Sequence, residues 1–255
     1  SRCHHAQRCG CDRQPSRGLA AARSAAHPFG AWFWAARAQA ADLLLVAART
    51  GPGGDPEQSN TLFLVPADQA GITINQLNTI ASDRQCEVLL SQVKAPADAV
   101  LGPVGQGWPI IQRCLQRAIA GKCVEMLGGA NAVLDMTVEY AKQRTQFGRP
   151  VGSFQAVQHH CANMATDVES SRYFTYQAAW RLSEGLESEN EAAMAKAWVS
   201  EAYRRVCALA HQCHGAIGFT KEYDLQLFTR RAKVAEVAYG DTDFHREQVA
   251  VGMGL

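Results

Sequence analysis

From Gln106 to the C-terminus the apolar residues recur every three to four positions, and that period decides the architecture. Ile111, Leu115, Ile119, Cys123, Leu127, Ala130 and Leu134 fall on one stripe. Val157, Cys161, Met164, Val168, Thr175 and Ala178 make a second, and Ala195, Trp198, Ala202, Val206, Leu209 and Cys213 a third. An apolar stripe at helical spacing must be buried against another element. Each helix spans about 30 residues, or about 45 Å. A fourth helix, roughly Tyr223 to Val237, and a short one after Asp241 complete the set. Long helices with short links predict an antiparallel up-and-down four-helix bundle over residues 105–255. Within it, Ser188 and Glu191 have the spacing of a capping box, and Gly185 closes the preceding helix.

Residues 38–104 are punctuated like strands. Asp42–Arg49, Thr61–Val65, Ile72–Leu77 and Glu87–Val93 are short apolar or alternating runs, with the turn-rich Thr50-Gly-Pro-Gly-Gly-Asp-Pro56 after the first. They predict a small antiparallel sheet, part of a larger β-domain, so the class is mainly α with a partial antiparallel β-domain in front. Residues 1–37 differ: six arginines, no lysine, one acidic residue, three cysteines and three histidines, without a sustained period. That bias is what GC-rich codons give when read out of frame, so this segment is expected to be disordered or non-native. Cys3, His4, His5, Cys9 and Cys11 are soft ligands of the kind zinc takes, but the paired two-residue spacing and a second cluster are missing, so no metal site is assigned.

Composition removes other classes. No apolar run reaches the eighteen or so residues that span a bilayer. A formal net charge of +1 offers no general attraction to nucleic acid or anionic lipid. Cys114, Cys123, Cys161, Cys207 and Cys213 lie within helical stripes, which suits free thiols in a reducing cytoplasm better than a disulfide framework. A soluble, cytoplasmic protein is expected.

The chemistry is concentrated where the first long pattern breaks at Gly148 and Pro150 and the next starts at Ser153. Proline fixes its own φ and restricts the residue before it, so the corner is set by sequence. Arg144, Gln146 and Phe147 offer a cation, an amide and a ring there, the set that a phosphate-bearing aromatic ligand needs; the plainer alternative is an ordinary bundle turn.

Arg144-Thr-Gln-Phe-Gly148, Gly152-Ser-Phe-Gln-Ala-Val-Gln-His159, Gln212-Cys-His-Gly-Ala-Ile-Gly-Phe219 and Arg231-Ala-Lys233, in that order, resemble the C-terminal half of the acyl-CoA dehydrogenase family. The strand region resembles the end of that family's middle β-domain, and the N-terminal helical domain has no counterpart. The resemblance implies FAD as cofactor, an acyl-CoA thioester as substrate, α,β-desaturation as the reaction, an electron-transfer flavoprotein as acceptor and a homo- or hetero-tetramer as the assembly. It further implies cofactor contacts from Arg144, Gln146, Phe147, Val151, Phe154, Gln155, Gln212, Gly215, Ala216 and Thr242.

One departure bears on activity. Where many members of the family read Tyr-Glu-Gly-Thr and use the glutamate as base, this chain reads Tyr239-Gly-Asp-Thr242. Gly240 has no side chain to take a proton, although its N–H is a donor for a thioester oxygen. Asp241, Asp243 and Glu125 are the candidate replacements, set against their plainer readings as turn or helix-surface charges. The alternatives are therefore a flavoenzyme fragment, or a non-catalytic partner subunit or assembly module of a mixed tetramer. Nucleic-acid binding through the basic N-terminal segment is a third, weaker option.

Overall fold

The computed structural model describes residues 31–50 and 59–255, which divide into two compact units at Arg113. The candidate zinc ligands, and most of the turn-rich stretch after Thr50, lie outside the described residues.

The first unit holds two antiparallel sheets where one was expected. β1 (Ala31–Ala36), β4 (Ile72–Leu77) and β5 (Gln85–Leu90) form a sheet of order β1-β5-β4. β2 (Leu43–Arg49), β3 (Asn60–Pro66) and the short β6 (Val100–Leu101) form the other, of order β2-β3-β6. Strand periodicity shows which face is buried but not which neighbour is paired, hence the correction. β1 is a second correction, because Ala31-Trp-Phe-Trp-Ala-Ala36 is a strong β-forming run lying inside the segment set aside for its composition. In β2, Leu44 and Ala48 turn inward while Leu43 and Leu45 stay exposed, the alternation of a half-buried strand. The N–H of Gly107 donates to Asn60 O at 2.7 Å, tying the start of the first helix to β3. That helix's opening turn therefore packs with the β unit, and the contact boundary falls at Arg113.

The second unit is helical: α1 (Trp108–Gln143), which enters it at Cys114, α2 (Gln155–Ser183), α3 (Glu189–His214), α4 (Leu225–Val237) and α5 (Thr242–Gly252). Pairs between α2 and α3 run in opposite directions along the two chains: Asp167 with Arg205, Phe174 with Trp198, Arg181 with Glu191. The same holds for α3 and α4, where His211 meets Thr229 and Lys196 meets Glu236. Antiparallel packing follows the short links, as expected. From the predicted stripes, Cys123, Leu127 and Ala130 of α1, Met164, Val168 and Ala178 of α2, and Ala195 and Val206 of α3 lie in the core, while Leu115 is exposed and Met126, Val133 and Val199, outside those stripes, are buried beside them. Burying side chains the size of Val or Met stabilises by about 1.5–3 kcal/mol each.

α2 ends as predicted: Gly185 takes φ 67° and the Leu186 N–H reaches back to Arg181 O at 2.9 Å. The capping box is not formed. Ser188 is the N-cap residue of α3 but its side chain makes no capping bond, and Glu191 pairs with Arg181 at 3.2 Å instead. An ion pair with the preceding helix takes the carboxylate that the local motif would have used. All six described cysteines are free, and burial pushes the Cys123 and Cys207 thiols up to about 12. Among the described residues no helix is long and apolar enough to cross a membrane.

Candidate functional site

α1 stops at Gln143, earlier than the sequence pattern suggested, because the corner contains a hairpin. β7 (Thr145–Gln146) pairs with β8 (Arg149–Pro150) across Phe147 and Gly148, at φ 54° and 75°. Two successive positive-φ residues make the primed turn that matches strand twist. Glycine enters it freely, whereas phenylalanine is strained there. The Phe147 ring is 92% exposed and meets only the edge of Phe154, at 6.1 Å. Arg144 is fixed by its backbone, its N–H donating to Tyr140 O and its carbonyl accepting from Val151 N, both at 2.8 Å. Its exposed guanidinium has no partner among the described residues. Gln146 is exposed, its amide donating to Thr145 O at 2.7 Å. Arg149 lies over the Phe154 ring at 4.1 Å. Val151 and Phe154 are half-buried, and Gln155, exposed, opens α2.

The end of α3 is riveted to the end of α1. His214 Nδ1 faces Ala210 O at 2.8 Å and must donate to it, so Nε2 accepts from the Tyr223 hydroxyl at 3.0 Å. The Tyr140 ring stacks on His214 at 4.4 Å and its hydroxyl donates to His214 O at 3.4 Å. Burial lowers the His214 pKa, so the ring is a neutral structural element. Tyr140 precedes Arg144 by one helical turn, and Gln212, Gly215 and Ala216, all exposed, flank His214 in the sequence.

The remaining predicted cofactor contact, Thr242, and the candidate bases Asp241 and Asp243 sit elsewhere, at the turn between α4 and α5. Tyr239 and Gly240 take φ 59° and 102°. The Lys196 ammonium, fully buried in α3, uses its three protons on Ser200 Oγ, Glu236 O and Gly240 O at 3.0, 3.0 and 2.9 Å. Burial draws its pKa down to about 8. His245, also fully buried, donates from Nε2 to Tyr239 O at 3.0 Å. Thr242 is buried with its hydroxyl unpartnered, and the N–H of buried Gly240 donates to no acceptor among the described residues. Buried polar groups without partners are uncommon and call for an explanation.

A Cβ on Gly240 would lie 2.5 Å from Phe244 Cδ1 and 2.9 Å from His245 Nε2. The backbone here is shaped for glycine, so a glutamate has no place in it. Of the candidate bases, Asp241 caps α5, its Oδ1 accepting from Phe244 N at 3.0 Å. The Asp243 carboxylate is 93% exposed, 3.6 Å from Arg246. Glu125 is exposed and paired with Lys122 at 2.7 Å. The structure does not gather these three carboxylates at one point.

Sequence reasoning missed Lys196, His245 and Tyr140. A signal existed for the first: Lys196 stands four residues after Ala192 and three before Val199, on the buried stripe of a run of small residues.

The profile described as "Acyl-CoA dehydrogenase, C-terminal domain" matches residues 105–254. The chain belongs to the acyl-CoA dehydrogenase family. Among family members, a probable acyl-CoA dehydrogenase of Bacillus subtilis is 33% identical over 220 residues, covering 85% of this chain and 58% of the relative. The short/branched chain specific acyl-CoA dehydrogenase of Rattus norvegicus is 32% identical over 224 residues, covering 87% and 52%. The crystal structure of an acyl-CoA dehydrogenase from Geobacillus kaustophilus superposes with a TM-score of 0.85 at 28% identity, over 89% of this chain and 61% of that one. The chain thus spans a little over half the length of the family members it matches.

Proposed function

We propose that this chain is the bundle-side portion of an acyl-CoA dehydrogenase-like flavoprotein that binds FAD and supplies no carboxylate base at position 240. The observation that carries the reading is the free guanidinium of Arg144, grouped at the hairpin with the Gln146 amide and the exposed Phe147 ring, one helical turn beyond the Tyr140 ring that stacks on His214. FAD pairs an anionic pyrophosphate with flat ring systems, and this donor set fits it. The buried, unpartnered Thr242 hydroxyl also fits a polar ligand group. When bound, FAD would supply the two-electron acceptor for α,β-desaturation of an acyl-CoA thioester, with an electron-transfer flavoprotein as the next acceptor.

Within the chain, Arg144 neutralises phosphate charge through charge-assisted bonds, Phe147 covers a ring face, and the backbone at Gly215 admits close approach. Val151, Phe154 and Gln155 floor the corner. The Gly240 N–H is the donor for a thioester oxygen as negative charge develops there. The misfit of any side chain at residue 240 favours a second reading of the whole protein: a subunit of a mixed tetramer in which a partner supplies the base.

The test is reconstitution with FAD followed by absorbance and fluorescence titration. Wild type should emerge yellow, and Arg144→Ala should bind FAD about 10- to 100-fold more weakly, as losing charge-assisted hydrogen bonds does. Acyl-CoA thioesters should leave the flavin oxidised until a base-bearing subunit is added. Colourless protein in excess FAD would overturn the cofactor reading, and bleaching of the chain alone would overturn the missing base.

A further inference from the structure

We propose that His245, with Lys196 as its second anchor, is a positioning residue that aims the Gly240 N–H outward as a donor to the oxygen of an acyl thioester. The inference rests on the flavoprotein reading above and adds to it the device that holds the donor.

The argument is one of peptide geometry. Tyr239 O and Gly240 N belong to one planar peptide, and the chain contains no cis bond among the described residues. In a trans peptide the C=O and N–H point in opposite directions. His245 Nε2, fully buried, holds Tyr239 O inward at 3.0 Å. The Gly240 N–H is consequently turned to the other side, and there it finds no acceptor among the described residues. Lys196 does the same for the next peptide, gripping Gly240 O at 2.9 Å from the bundle core. Two successive peptides are thus held by buried donors.

Tyr239 has positive φ, a conformation that a non-glycine residue keeps only where its surroundings enforce it, while Gly240 enters it freely. Here the enforcing groups are these two side chains. The Thr242 hydroxyl, buried and unpartnered two residues on, is a second group at this turn lacking a protein partner. A neutral imidazole is the suitable inner anchor, since a second cation beside Lys196 would be repelled; burial and that cation hold the His245 pKa down at about 4.

Tyr239-Gly240 is the only Tyr-Gly pair in the sequence. Carbonyl-13C tyrosine with 15N glycine therefore reports this one amide by NMR. In the FAD-loaded full chain, acetoacetyl-CoA is expected to move that resonance downfield. His245→Leu should weaken acetoacetyl-CoA binding, measured by calorimetry, about tenfold or more while FAD affinity stays within about twofold. His245→Gln, which restores an N–H donor, should recover most of the loss; a purely packing role would give no such rescue. An unmoved resonance on FAD-loaded protein overturns this proposal alone, as does absence of acetoacetyl-CoA binding. A chain that takes up no FAD overturns the flavoprotein reading with it. If His245→Leu does not fold, the wild-type resonance decides by itself.

Discussion

Replacing Gly240 with glutamate supplies the carboxylate that the family resemblance led us to expect at this position, and it should fail. Residue 240 sits at φ 102°, outside the left-handed helical well that other residues occasionally use. Such a backbone costs a non-glycine residue about 1–3 kcal/mol. The new Cβ would be 2.5 Å from Phe244 Cδ1 and 2.9 Å from His245 Nε2, closer than real Cβ contacts, and relieving such overlap costs about 1–3 kcal/mol more. The sum is about 4 kcal/mol, which for a chain of this size lowers Tm by about 8–16 °C. Gly240→Ala carries the same two penalties without the carboxylate and serves as the control. Thermal unfolding followed by circular dichroism should show both variants strongly destabilised, with glutamate at least as costly as alanine. Flavin bleaching by acyl-CoA should remain absent in Gly240→Glu. A Tm within about 2 °C of wild type, or turnover gained by the glutamate, would refute the claim that this turn was rebuilt around glycine.

Three further outcomes are expected. The folded-state pKa of His245 lies near 4, below the ordinary 6.5, so as the pH falls below 6.5 the unfolded chain takes up a proton the folded one refuses. Stability should drop by up to about 3 kcal/mol between pH 6.5 and 4, and urea unfolding of His245→Gln should lack that component. Asp241→Ala should cost about 1 kcal/mol through loss of the α5 cap, while Asp241→Asn, also a good cap, holds stability; denaturant midpoints separate the two. Phe147→Asn should stay within about 0.5 kcal/mol of wild type, relief of left-handed strain offsetting the lost edge contact with Phe154, yet weaken FAD binding in a fluorescence titration.

The long helices were legible because a buried stripe repeats at the helical period, and Cys123, Met164 and Val206 confirm it by their complete burial. Pairing partners were not, since nothing in Leu43–Arg49 or Gln85–Leu90 states which strand comes next to it. Ser188 and Glu191 carried a valid local motif that Arg181, brought in by tertiary packing, overrode. At the site, the identity of Gly240 was readable but its positive φ was not, because glycine is compatible with almost any backbone. His245 gave no signal at all: its role depends on the direction of a carbonyl six residues earlier in the chain, which only the folded turn defines.

Strain in this chain has a pattern. Among the described residues only two places have consecutive residues at positive φ, Phe147-Gly148 and Tyr239-Gly240. The glycine turn is held to α3 through Lys196, and the end of α1 that leads into the hairpin is held to α3 through Tyr140 and His214. The anchors Lys196 and His214 are separated along α3 by about 27 Å of helix. A single compact ligand does not bridge that distance, so on the proposed reading the hairpin and the glycine turn would meet either the two ends of an extended dinucleotide or two ligands in an assembly. The rigid core of α3 is what makes either arrangement possible. It fixes the spacing between His214, which stacks on Tyr140 before the hairpin, and Lys196, which grips the glycine turn.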